Sequence, residues 1–260
     1  MAGTSKSSTP CVFCGATGTL STEHVIPKWL RKELGIAEPV REFSGTTYIG
    51  AAQTLAVVFH EVCVSCNSGW METLEAATRP VLGPLLLGAA PGTTHVLDPG
   101  EQAILATWAV KTALLLALSK FRGQAHGWIP ATTLRWLRQH HQARMPPPGT
   151  RVWFGGLATS DLPASAQAAC LYDATSSPAA SCVTFSTGCA LFQVFATEQH
   201  DADLTPDTEE WLAPSGAYQQ ALLPIAPSSA PLRWPPAVVA SPGELQGLAG
   251  RLRQRLPAAP

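Results

Sequence analysis

The 260-residue chain has no uninterrupted apolar run long enough to span a bilayer. Its most apolar stretch, residues 103–118, carries Lys111 at its centre and falls just short of the roughly 18–20 residues that a transmembrane helix needs. Residues 1–10 are polar and lack the apolar segment of a secretory signal, so we expect a disordered lead-in. The sequence therefore predicts a cytoplasmic protein without a membrane partner, in which residues 103–118 form a buried helix.

Cysteine is scarce, with 7 residues in the chain, and four of these form two close pairs. Cys11 and Cys14 make the first C-x-x-C pair, and Cys63 and Cys66 make the second. Two such pairs complete a tetrahedral zinc shell that has no open position, which is typical of a structural site. Because no secretory signal precedes them, zinc in a reducing compartment is favoured over disulfides. We therefore expect a structural Zn²⁺ that joins two distant parts of the chain.

Acidic residues are absent from residues 102–160, although the whole chain is nearly neutral. A polyanion would be attracted to this middle segment, and six of its basic residues are candidates for contacts with nucleic acid. A solvated helix face would account for the same charge pattern equally well. The candidates are Lys111, Lys120, Arg122, Arg135, Arg138 and Arg144.

The segment between and around the cysteine pairs predicts a small unit over residues 11–80. Pro27 suits the first position of a helix, Gly35 suits its C-terminal cap, and Pro80 is expected to end the last helix. We expect Glu72 and Glu75 to be solvated residues of that last helix. A unit of this size needs its metal to be stable. The predicted elements are a strand over 20–26, a helix over 28–34, a loop over 36–52, a strand over 55–62 and a helix over 65–78.

The rest of the chain predicts a helical middle, residues 81–145, packed on this unit and followed by a β-rich domain over residues 150–260. The helix over residues 101–121 is apolar almost all round, so we expect it in the centre of the core. The Pro-rich stretch at residues 146–149 marks the domain boundary. The fold class is therefore α+β. The other predicted elements are a basic helix over 132–144, strands over 151–157, 169–174, 182–186 and 190–197, a strap over 231–240 and a helix over 242–256.

The residues beside the cysteine pairs resemble a known nuclease family. Glu23-His24-Val25-Ile26-Pro27 follows the first pair, and Asn67 follows Cys66 directly. Over residues 11–79 this pattern is similar to that of the HNH endonucleases. The resemblance implies a zinc-stapled ββα-metal unit, treble-clef-like, that hydrolyses nucleic acid. DNA is favoured over RNA as its substrate, although the sequence leaves that choice open, and the expected reaction nicks one strand per site in a setting such as bacterial defence. The resemblance also implies that Glu23 and Asn67 bind a catalytic Mg²⁺ or Mn²⁺.

The chemistry of phosphodiester hydrolysis leads to the same residues. A base must deprotonate water, and a divalent cation must take up charge on the phosphate and the leaving oxygen. The imidazole of His24 titrates near neutrality and suits the base, while Glu23 and Asn67 offer hard oxygen ligands. Two alternatives remain open at this point. Asn67 is also a favoured N-cap residue, and His24 could be an ordinary surface histidine.

The sequence departs from the family pattern at two positions. The middle Asn of the family is missing from residues 57–62, where His60 is a candidate substitute, and Met71 stands where many members have a further His. We therefore keep a second hypothesis: a zinc-stapled module that binds nucleic acid or protein without catalysis. In either case the β-rich domain would contact the substrate, a protein partner or a second copy of the chain.

Overall fold

The computed structural model describes residues 9–35, 40–44, 47–52, 57–86, 93–120, 130–143, 145–158, 164–172, 178–197, 221–228 and 230–241. These residues form a mixed α+β fold, as the sequence predicts. A turn, a strand pair and a helix near the N-terminus carry the clustered cysteines, a long helix lies in the middle, and an antiparallel sheet forms the C-terminal part.

The N-terminal unit is built on two antiparallel strands. β1 (Leu20–His24) pairs with β4 (Val58–Cys63), and the register shifts by a bulge between Ser21 and Glu23. The helix α1 (Lys28–Glu33) follows β1, and Gly35 adopts a positive φ of 59° just beyond it. Glycine takes up this left-handed conformation without strain. The predicted strands and the glycine-ended helix are therefore confirmed here.

Residues 36–52, predicted to form a loop, contain a hairpin instead. β2 (Val40–Ser44) pairs antiparallel with β3 (Thr47–Ala52). The prediction of a loop was wrong for these two segments, since it gave the Gly and Thr content more weight than the β-branched and aromatic residues. Such residues favour extended strands over loops.

The helix after β4 is longer and less regular than predicted. It runs through α2 (Val64–Cys66), a π-helical turn (Asn67–Met71) and α3 (Glu72–Leu82), with non-helical angles at Gly69. The prediction that Pro80 ends the helix was wrong, because Pro80 lies inside α3. Proline here removes one hydrogen bond near the end of the helix, while Leu82 beyond it is fully buried.

The long helix α4 (Pro99–Lys120) is the central element of the fold. Its length and composition would allow it to cross a membrane, but 83% of its most apolar window is buried inside the protein. Asp98 and Glu101 exchange hydrogen bonds at its start, each accepting from the backbone N–H of the other at 2.8 and 3.0 Å. The basic helix α5 (Ala131–His140) packs on α4 and ends in a 3₁₀ turn (His141–Ala143). The prediction of a buried central helix is confirmed.

The C-terminal sheet has five antiparallel strands in the order β10-β6-β9-β8-β7. Trp108 of α4 packs against Phe185 and Phe192 on one face of it. The predicted strap is present in part, since β11 (Leu232–Trp234) pairs with β5 (His95–Leu97) and Trp234 stacks on Phe154. The helix predicted over 242–256 lies outside the described residues. The sheet strands are β6 (Thr150–Gly156), β7 (Ala164–Tyr172), β8 (Pro178–Thr187), β9 (Ala190–Thr197) and β10 (Leu222–Ala226).

One hydrophobic cluster extends across the three predicted segments. It joins Phe13 and Trp70 of the N-terminal unit to Trp108 of α4 and to Phe154 of the sheet. The turn between β8 and β9 also contacts the N-terminal part, because the Cys189 N–H donates to the Leu86 carbonyl at 2.8 Å. The boundary predicted at residues 146–149 is therefore crossed by a shared core.

Candidate metal centre and adjacent polar site

The four predicted zinc ligands lie together although the two pairs are far apart in the sequence. The sulfur atoms of Cys11, Cys14, Cys63 and Cys66 all lie within 4.8 Å of one another, and those of Cys14 and Cys63 are 3.6 Å apart. A tetrahedral zinc with Zn–S bonds of about 2.3 Å would separate its sulfurs by about 3.8 Å. Four thiolates are the donor set of a closed structural zinc site. The cluster therefore fits the predicted structural Zn²⁺.

Local backbone contacts shape this cluster. Gly15, with a φ of 69°, closes a turn in which its N–H donates to the Cys11 carbonyl at 2.8 Å. Burial raises the pKa of Cys63, but hydrogen bonds from Ser65 and the surrounding groups outweigh this effect and lower it to about 6. Burial raises the pKa of Cys66 and of Cys14. A bound zinc ion deprotonates such thiols, so zinc binding should release protons.

Asn67 reaches from the π-helical turn to β1. Its Nδ2 donates to Ser21 Oγ at 3.0 Å and to the Thr22 carbonyl at 3.4 Å. The single hydroxyl hydrogen of Ser21 already goes to the Val62 carbonyl at 2.9 Å, so both neighbours of the amide are acceptors. The amide nitrogen must therefore face them, and Oδ1 accepts no hydrogen bond from any described residue. Asn67 is not an N-cap, since its φ and ψ are helical and Cys63 precedes α2.

Glu23 lies in the core and is paired with a lysine from α4. Its Oε1 accepts a hydrogen bond from Lys111 Nζ at 3.2 Å, and the same ammonium group donates to Glu75 Oε1 at 2.8 Å. Burial raises the pKa of Glu23, Lys111 opposes this rise, and the charge of Glu75 adds to it. Burial alone would lower the pKa of Lys111, but the charges of Glu75 and Glu23 raise it above its usual value. The lysine is therefore a charged group held between two carboxylates.

His24 is half-buried at the end of β1. Burial lowers its pKa below the usual 6.5, as do the charges of Lys28 and Arg31, whereas Glu75 acts in the opposite direction. The imidazole is therefore neutral near pH 7 and can accept a proton. His60, the candidate substitute for the missing Asn, is exposed on β4, and its Nδ1 lies 3.3 Å from Thr22 Oγ1. It therefore contacts the strand that carries Glu23 and His24.

The candidates for nucleic-acid contacts differ in their positions. The prediction for Lys111 was wrong: the side chain is fully buried in its ion pairs, so it cannot touch a phosphate. Arg135 and Arg138 are exposed on α5. His141, just beyond α5, lies with its ring 5.7 Å from that of Trp70 and so joins this helix to the π-helical turn. The side chain of Lys120, and all of Arg122 and Arg144, lie outside the described residues.

Sequence reasoning missed the parts that Lys111 and Glu75 play in this site. Lys111 was grouped with the basic surface residues, and Glu75 was expected to be solvated. One signal was available, because a single lysine in the middle of an apolar helix must find a partner in the core. Nothing in the sequence identified which acid that partner would be.

Comparison with known proteins adds no further constraint. The chain matches no family model, no curated protein and no solved structure. The HNH resemblance over residues 11–79 therefore depends on the motif itself and on the four-cysteine cluster.

Proposed function

We propose that this protein is a metal-dependent endonuclease of the HNH type that hydrolyses phosphodiester bonds of DNA, with His24 as the general base. The observation that supports it best is the contact between Asn67 and Ser21 at 3.0 Å. It ties the turn after the second cysteine pair to the strand that carries Glu23 and His24. The cysteine cluster joins the turn before this strand to the end of β4 and the start of α2, and β4 pairs with the strand itself, so these residues lie on a rigid support.

The donor groups fit a hard divalent cation. The Oδ1 atom of Asn67, which accepts no hydrogen bond within the part of the chain that the structure describes, and the carboxylate of Glu23 would hold Mg²⁺ or Mn²⁺, with water and phosphate oxygens completing its coordination. Such a cation, when bound, stabilises the charge that develops on the phosphate and the leaving oxygen. Lys111 already contacts one oxygen of Glu23. This contact fixes the orientation of the carboxylate and neutralises part of its negative charge.

His24 provides the base in this proposal. Its neutral imidazole takes a proton from the attacking water, and the nearby charge of Glu75 favours the imidazolium that results. Lys28 and Arg31, whose charges act on His24, would attract the phosphate to the same side. The exposed Arg135 and Arg138 would add phosphate contacts along α5, which makes the binding sensitive to salt.

One observation favours a second candidate, a zinc-stapled module that binds nucleic acid without cleaving it. The side chain of Glu23 is only 6% exposed and is already paired with Lys111. A carboxylate neutralised in this way is a weaker ligand for an external cation. In this alternative the polar residues serve only to join β1, α3 and α4.

A plasmid-nicking assay separates the two candidates. Zinc-loaded wild type, His24→Ala, Asn67→Ala and the control His95→Ala are incubated with supercoiled plasmid and Mg²⁺ or Mn²⁺ at low salt. His95 lies on β5, outside the proposed site. We expect His24→Ala to lower the nicking rate by about 10²–10⁴-fold, the usual contribution of a general base, with zinc content unchanged and the fold retained.

The outcomes of this assay are distinct. Plasmid binding by wild type without nicking in either metal would establish the binding module and refute the nuclease. Nicking by His24→Ala at the wild-type rate would refute the assignment of the base.

A further inference from the structure

Lys111 and Glu23 are the buried charged side chains of the described chain. Three elements meet at the lysine, since α4 supplies Lys111, β1 supplies Glu23 and α3 supplies Glu75. The ammonium side chain is 0% exposed, and those of Glu23 and Glu75 are 6% and 22% exposed. Little water is therefore available to screen the charge of the lysine from anything that binds at Glu23.

The charges in this group can be counted. The two carboxylates and the ammonium group of these ion pairs give a net charge of −1, and the Asn67 amide adds nothing. A divalent cation brings the total to +1, and one phosphodiester then brings it to zero. Without the lysine, the two carboxylates alone would neutralise a divalent cation, and the phosphate would leave the group with a net negative charge.

Coulomb's law gives the size of the effect that the lysine charge has on the binding of the cation. A unit positive charge about 5 Å from a divalent cation weakens its binding by about tenfold or more, even at the dielectric constant of water. The effect is larger where water is excluded. The Glu23 carboxylate brings Lys111 and the proposed cation close together. Its Oε1 lies 3.2 Å from Lys111 Nζ, and the cation would bind to the same carboxylate.

We propose that Lys111 keeps the affinity of the bare site for divalent cations low, so that the site fills when the phosphate of the substrate is also present. The inference rests on the proposed function, because it concerns the cation held by Glu23 and Asn67. Lys111 is a positioning residue in this scheme, since it holds Glu23 and Glu75 and touches neither water nor substrate.

The test measures Mn²⁺ binding to the full-length zinc-loaded protein without DNA, by the loss of the free Mn²⁺ signal in electron paramagnetic resonance. Lys111→Met removes the charge and keeps most of the side-chain volume. Glu75→Gln keeps a hydrogen-bond acceptor for Lys111 and removes one negative charge, so it remains informative if Lys111→Met does not fold. Lys32→Met, on the exposed side of α1, is the matched control.

We expect opposite shifts from the two variants. Lys111→Met should bind Mn²⁺ about tenfold or more tighter than wild type, and Glu75→Gln should bind it weaker by a similar factor. The Mg²⁺ concentration for half-maximal plasmid nicking should move in the same directions. Lys32→Met should leave both quantities unchanged, and a purely structural role for Lys111 would not give shifts of opposite sign.

The two proposals fail in different ways. If wild type nicks plasmid but both variants bind Mn²⁺ as wild type does, or both bind it more weakly, the inference is refuted and the nuclease proposal stands. If no variant binds Mn²⁺ and wild type does not nick plasmid, the proposed function is refuted, and the inference with it.

Discussion

Gly188 provides a direct test of how the C-terminal sheet packs on the N-terminal part. It lies in the turn between β8 and β9 with a φ of 54°. A Cβ atom there would lie 2.4 Å from the Leu86 carbonyl oxygen and 2.5 Å from Leu34 Cδ2. The Leu86 carbonyl cannot rotate away as a flexible side chain could, and it also accepts the Cys189 N–H. Gly188→Ala should therefore push the turn away from Leu86.

The expected loss of stability can be estimated from these contacts. Alanine at a left-handed φ costs about 1 kcal/mol, and forcing a methyl group into a packed contact costs about 1–3 kcal/mol. We expect a total of about 3 kcal/mol. Gly35→Ala is the matched control, because Gly35 has a φ of 59° and no atom within 4 Å of the added Cβ. This control should lose only the backbone contribution of about 1 kcal/mol.

Urea unfolding of the zinc-saturated proteins measures both values. The difference between the two variants isolates the contacts with Leu86 and Leu34, since the backbone contribution is common to both. If the two free energies of unfolding agreed within about 0.5 kcal/mol, the usual scatter of surface substitutions, the turn would not dock on Leu86. One of the contacts by which the sheet joins the N-terminal unit would then be refuted.

Two further predictions concern the metal centre and His24. Cys66→Ser should lose zinc and disturb the N-terminal unit, measured by zinc content and by the tryptophan fluorescence of the protein, to which Trp70 contributes from its packing against Phe13. Cys182→Ser, buried in the sheet, should retain zinc. Retention of zinc by both variants would contradict the site. The folded-state pKa of His24 lies below its usual 6.5, so its contribution to stability is present above pH 6.5 and is lost as the pH falls through the lower, folded value. Because His24→Gln removes this titratable group, the variant should lose less unfolding free energy than wild type between pH 7.5 and pH 5, and an equal loss in both proteins would contradict the assignment.

The sequence predicts the cysteine cluster well because its determinants are local and chemically restrictive. Each C-x-x-C pair supplies two thiolates to one shared cation, and the strand and helix that carry the second pair follow from short hydrophobic patterns. The same applies to α4, whose apolar surface all round leaves no place for it but the core. These features require no knowledge of which distant residues meet.

The missed features depend on contacts between distant segments. Lys111 and Glu23 are 88 positions apart, and no local pattern indicates that a lysine of the core helix meets this particular acid. Charge counting along the chain placed Lys111 with Arg135 and Arg138, although only the arginines are exposed. The irregular turn at Gly69 is also hidden in the sequence, because glycine permits such a turn without requiring it.

The ion pairs of Lys111 are not explained by stability alone. Removing an ammonium group and two carboxylates from water costs several kcal/mol for each buried ion, and a well-packed apolar set of similar volume is often as stable or more so. The neighbours of Lys111 on α4, such as Val110 and Leu114, are fully or almost fully buried without charge, so the helix does not need a charge to pack. The charged arrangement does have an electrostatic consequence at the site, because Glu75 acts on His24 and Glu23 precedes it in the chain. Lys111 therefore acts on the proposed catalytic residues through its charge. For this reason, measuring cation binding in charge-changing variants of Lys111 and Glu75 tests the function more directly than measuring the stability of those variants.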